Sequence, residues 1–182
     1  METQNPTKVA TKWAVIYTLT AIVITYAFEF LNVDPQSPAK YCTYIPFIIF
    51  MLLAQKEYKD IKGGYLTFGE GFSSGFRYAL FAGLLLAVFT YLYLAVLSPG
   101  VWQKILETTR TQLEDKNMPA EQIDKAMQIT SKYGPIFGAF GSAVSYAIFG
   151  AVLSLIGAAI MKKERSPFDI ANQAIDPNDP TV

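Results

Sequence analysis

Apolar residues along this chain gather into four blocks, at about 13–31, 39–54, 68–97 and 134–161, with polar segments between them. Within each block the apolar positions run together instead of recurring on one face. That is the pattern of a helix surrounded by core or by lipid. A helix that crosses a bilayer needs roughly 20 predominantly apolar residues. The first, third and fourth blocks meet that length. The second is shorter and contains Pro46. Its length alone fits either a short, kinked crossing helix or a re-entrant segment.

Basic residues decide between these. Lys8 and Lys12 precede the first block, Lys56, Lys59 and Lys62 follow the second, and Lys162, Lys163 and Arg165 follow the fourth. Cytoplasmic loops carry the excess of Lys and Arg. All of these cations share one side only if the second block crosses. The expected topology is four spans with both termini cytoplasmic and residues 101–132 outside. The first block exceeds the apolar core of a signal peptide, about 7–15 residues, and Tyr26–Phe30 offers no small-residue cleavage site. It is therefore expected to be a retained helix.

The polar segments carry their own signals. Asp34-Pro35 and Ser37-Pro38 stop the first helix in a turn. Thr67 and Glu70 fit a capping box, with Thr67 as N-cap and Glu70 reaching back to a free backbone N–H. Ser98-Pro99-Gly100 ends the third block. In 101–132, Trp102, Ile105, Leu106, Thr109 and Leu113 recur at helical spacing, and Pro119 starts a second short helix bearing Ile123, Ala126, Met127 and Thr130. This segment is expected to be an amphipathic hairpin or broken helix on the membrane surface or capping the bundle. Residues 1–165 thus form one transmembrane domain. The polar tail 166–182, with three prolines, is expected to be disordered.

Small residues recur every fourth position in two blocks. One row is Gly71, Gly75, Ala79, Gly83 and Ala87. The other is Gly138 and Ser142, then Gly150, Ser154 and Ala158. Such rows let helices approach closely in lipid, so the third and fourth blocks are expected to pack together. A four-residue repeat advances about 40° per step on a helix of 3.6 residues per turn. The first row is therefore expected to wind toward a different neighbour at its far end.

Composition narrows the chemistry. Hydrophobic residues make up 52% and charged residues 16%, below the roughly 25% charged of a soluble domain. Lys+Arg and Asp+Glu are both 15, which offers no basic patch for nucleic acid. There is no histidine, and Cys42 is the single cysteine. This removes intrachain disulfides, soft metal clusters and the usual nucleophile–base pairs. The glycines at 63, 64, 69 and 71 lack the Lys-Ser/Thr pair of a phosphate loop. Two ionisable residues fall inside spans, Glu29 near the outer end of the first and Arg77 near the inner end of the third. Intramembrane charges mark pathways or relays, but these two lie at opposite depths. Each also fits an interface role, Arg77 by snorkelling.

Lys56-Glu57-Tyr58-Lys59-Asp60, then Gly64-Tyr65-Leu66-Thr67-Phe68-Gly69-Glu70-Gly71-Phe72 running into a small-rich span, resembles the bacterial membrane family catalogued as domain of unknown function 4199. Met118–Ile123 and the last span ending Met161-Lys162-Lys163 fit it too. The resemblance covers roughly residues 10–165. It implies small four-helix inner-membrane proteins, mostly of Gram-negative bacteria, and supplies no catalytic residues. The expectation is an all-α integral membrane bundle of four transmembrane helices in the bacterial inner membrane. It is expected to be non-catalytic, to need no cofactor or metal, and to act through helix packing. The expected partners are the lipid bilayer and a second copy or another membrane protein. The alternative is a small transporter or channel subunit with Glu29 and Arg77 near the pathway.

Overall fold

The computed structural model describes residues 5–34 and 37–165, and the expected disordered tail lies outside them. The described chain is helical, with no named strand. Five helices follow in order: α1 (Pro6–Phe30), α2 (Tyr44–Ile61), α3 (Phe68–Leu92), α4 (Pro99–Asp115) and α5 (Ala120–Met161). A 3₁₀ turn, Pro38–Thr43, leads into α2, and a π-helical segment, Tyr93–Leu97, extends α3.

The helix ends follow from local sequence. Asn5 caps α1 by accepting from the Thr7 N–H at 2.9 Å, with Pro6 in the first turn, where its missing N–H is harmless. Thr67 and Glu70 form the reciprocal capping box at α3. Three helices end in a Schellman motif. After α1 the left-handed residue is Asn32 (φ 53), after α2 it is Gly63 (φ 75), and after α4 it is Asn117 (φ 53). In each, the two N–H groups past the cap return to the last turn; Asn32 N donates to Glu29 O and Val33 N to Phe28 O.

Three helices are long and apolar enough to cross a membrane: Pro6–Phe30, Phe68–Leu97 and Ala120–Met161. Large apolar side chains stay exposed on all three, Val23 at 68%, Val88 at 62% and Ile148 at 64% among them. The expected fourth span, 39–54, is not a helix of that kind. Its first residues are 3₁₀, and α2 runs on into Lys56, Glu57, Lys59 and Asp60. Its apolar part covers about 16 Å at 1.5 Å per residue, near half the bilayer core.

α1 and α3 run parallel, and α2 and α5 run against them. The start of α1, the end of α2, the start of α3 and the end of α5 meet at one lysine-rich end. There Lys12 pairs with Glu57 at 2.5 Å, Lys62 pairs with Glu70, and Leu66 exchanges backbone hydrogen bonds with Lys163. At the other end α3 reaches Leu94, whose Cδ1 is 3.8 Å from a Cβ built on Gly138 of α5. The α2 helix begins level with Tyr146 instead, where Tyr44 stacks on that ring. It therefore starts roughly 12 Å short of this end.

The most extensive interface joins α3 to α5, and the small residues line it. Gly71 faces Ala158, Gly75 faces Ser154, Ala79 faces Gly150, and Gly83 faces Ala143 and Tyr146. The facing pairs step by four in opposite senses. The first row therefore does not turn away to a second neighbour as expected. The partner's row drifts as well, and the two helices wrap so that the rows stay together. Ala87 is only half-buried, Gly138 is exposed, and the Ser142 hydroxyl donates to Ala139 O; these three lie outside the tight contact.

The expected helical hairpin of 101–132 is present, but its second arm is one helix with the last span. The α5 helix runs without a break from Ala120 through Pro135 to Met161, 42 residues, or about 63 Å. That is twice a bilayer core. The α4 helix lies antiparallel along its first half, through Arg110–Asp124 at 3.3 Å and the Trp102 ring over Gly134. The pair continues the direction of α5 and does not lie across the bundle end. No residue of α4 is buried.

Candidate functional site at the Glu29 end

Where α2 stops short, the Glu29 end of the bundle lacks a fourth helix, and a cavity of about 450 Å³ opens there. This lies within the usual range for small-ligand sites. Phe28, Val33 and Val101 give it apolar walls. Thr25, Thr43, Thr90 and Ser142 add hydroxyls, and Glu29, Asp34 and Lys104 add charge.

Glu29 is placed by the Schellman turn that ends α1 on its own carbonyl. Its carboxylate accepts from the Tyr93 hydroxyl at 3.0 Å and from the Ser98 hydroxyl at 2.9 Å. Both donors are buried. They come from the π-helical end of α3, where the wider turn is closed by Ser98 N donating to Tyr93 O at 2.8 Å. Single π turns of this kind often sit at functional sites. No ion pair joins Glu29 to Lys104, although both line the cavity.

Sequence reasoning found Glu29 and missed its two donors. Ser98 belongs to the Ser98-Pro99-Gly100 helix stop, and Tyr93 lies inside the third apolar block. The periodicity of α3 carries no sign of the π turn.

Arg77 is at the opposite end, where its guanidinium donates to Thr7 Oγ1 at 2.9 Å. From Thr7 to Glu29 along α1 is about 33 Å. The two charges are not brought together. Between them lies a layer of fully buried rings, Tyr17, Phe47 and Tyr78, with Tyr146 beside them. Tyr17 donates to the Tyr146 hydroxyl at 2.7 Å, and Tyr78 to Phe47 O at 3.0 Å. Filled and hydrogen-bonded, this layer separates the cavity from the lysine-rich end.

A second polar feature lies among α2, α3 and α5. Gln55 is fully buried, and its Nε2 donates to Gly71 O at 3.0 Å and Ser154 O at 3.2 Å. Its Oε1 has no partner. The two missing side chains at Gly75 and Gly157 make room for the amide. Fully buried between three helices and bonded to two of them, it is a packing node. In sequence Gln55 stands between the second apolar block and Lys56, where nothing marks it as buried. Among the described residues no group of three or more His, Cys, Asp or Glu could hold a metal.

The comparisons with known proteins agree on the scale of the unit. A family model described as "Protein of unknown function (DUF4199)" matches residues 12–163, from the first turns of α1 to the residue that pairs with Leu66. No curated protein and no solved structure matches the chain.

Proposed function

We propose, from the premise that this chain belongs to the family of unknown function DUF4199, that it is a non-catalytic integral membrane protein that binds a small ligand in the Glu29 cavity. The observation that carries this reading is the cavity itself. A carboxylate held by two buried hydroxyls opens onto about 450 Å³ of mixed apolar and polar wall. The small-residue rows are used within the chain, where they lock α3 to α5. Helix packing is then the means by which the cavity is held open and not the activity. On this reading the protein is a multi-pass protein of the bacterial inner membrane. The lysine-rich end and both termini are cytoplasmic, and the cavity and the α4–α5 pair are external. A transport pathway linking Glu29 to Arg77 would have to pass the Tyr17–Phe47–Tyr78 layer, which speaks for binding over passage.

Native mass spectrometry of the full chain, extracted from its own membranes in mild detergent, tests this. The wild type should carry a non-covalent adduct of small-molecule mass. Thr90→Phe, which fills the cavity, should lose it while keeping the wild-type helical circular dichroism. A wild-type protein with no adduct, or an adduct untouched by Thr90→Phe, would refute the assignment.

A further inference from the structure

We infer that the Glu29 cavity takes a zwitterionic group in which a primary ammonium and an anion lie a few ångströms apart, of the aminoethyl phosphate class. This rests on the ligand-binding reading above and specifies what is bound. Charged side chains of both signs on the cavity lining, Glu29 and Asp34 against Lys104, carry it. The Glu29 carboxylate receives two hydroxyl protons and no cation. A carboxylate has about four acceptor sites, so acceptor capacity remains for an N–H donor. Lys104 reaches the same cavity from α4 and forms no ion pair with Glu29. Its ammonium brings three donors.

A simple anion would meet the field of Glu29 and Asp34, and a simple cation that of Lys104. A dipolar group satisfies both, with its ammonium on Glu29 and its anion on Lys104. Phe28, Val33 and Val101 suit the methylenes between the two charges. The cavity also lies where the apolar stretches of α1 and α3 end, which is the level of lipid headgroups. The same chemistry therefore has two sources, a phosphatidylethanolamine headgroup or a dissolved aminoethyl phosphate.

The test uses the full chain in nanodiscs of phosphatidylcholine, whose trimethylammonium has no N–H. In one arm part of the lipid is replaced by phosphatidylethanolamine. In a second, phosphoethanolamine is added to the solution, and phosphatidylglycerol discs serve as control. The expected result is a rise in melting temperature of about 5 °C or more near saturation in one of the two ammonium arms. Phosphatidylglycerol should give none. The rise should vanish in both Glu29→Gln and Lys104→Gln, each read against its own melting temperature in plain phosphatidylcholine. A response to the lipid alone assigns the membrane source, and a response to the solute alone assigns the aqueous one. No rise in either arm, a rise equal to that in phosphatidylglycerol, or a rise kept in both variants overturns the inference. If that happens while Thr90→Phe still removes a bound mass, the ligand-binding reading stands alone. If no mass is bound, both fall.

Discussion

Gly150 marks the tightest point between α3 and α5, and its replacement by alanine should weaken the bundle only while Ala79 keeps its methyl group. A Cβ at Gly150 would overlap the Ala79 Cβ, and it would stand 3.4 Å from Phe47 Cζ. The two methyls are fixed to helix backbones and cannot rotate away. Carbon atoms rest at about 3.5–4.0 Å, so the helices must part by more than an ångström. Overpacking of this kind costs about 1–3 kcal/mol. Replacing a helical glycine returns up to about 1 kcal/mol, which leaves a net loss of about 1–2 kcal/mol. In an Ala79→Gly chain the new methyl has room, and Gly150→Ala should then stabilise by up to about 1 kcal/mol. The sign reversal is a coupling of about 2 kcal/mol, measurable as a double-mutant cycle. Unfolding of the four proteins in mixed dodecyl maltoside and SDS micelles, followed by Trp13 and Trp102 fluorescence, reads it directly, since 1.4 kcal/mol is tenfold in the equilibrium constant. If Gly150→Ala stabilises equally in both backgrounds, the register of α3 on α5 is wrong.

Gln55 and the topology give two more tests. Gln55→Leu removes two hydrogen bonds and an orphaned oxygen together at similar volume, so it should unfold within about 1 kcal/mol of wild type. Gln55→Ala leaves a void and should lose about 2–4 kcal/mol; equal losses in the same denaturation assay would count against this account. A reporter inserted beside Asn117 should be external and one fused after Val182 cytoplasmic, and the reverse pattern would invert the proposed orientation.

Much of the bundle can be read in the chain, and the failures share a cause. Thr67 and Glu70 announce the start of α3 because a capping box is local chemistry. The small rows announce the α3–α5 contact because both partners carry the same spacing. The placement of Lys and Arg made the block 39–54 a span, but which side its ends face does not say at what depth a helix begins, and α2 begins level with Tyr146. The last block is expected to begin at about 134, beside Pro135. That proline sits inside α5 instead, where α5 passes from its charged half into its apolar half. The winding of the small row was argued for one straight helix, and a partner that winds with it cancels the drift. Tyr93, Ser98 and Gln55 became visible only when separate elements met. Glu29 stood out from the start because a charge within an apolar block is rare whatever surrounds it.

The pairing of α3 with α5 also sets a schedule for the chain's synthesis. Gly71, Gly75, Ala79 and Gly83 face residues that are made roughly 60 to 90 positions later. At about 5–20 residues per second, α3 waits about 3–17 s for its partner. During that interval its glycine face lacks its partner helix, and on the proposed orientation the polar α4 with the first half of α5 must still pass to the external side. The half-made protein is therefore the vulnerable form. Whatever insertion machinery receives it has to shield one groove of α3 until the last helix arrives.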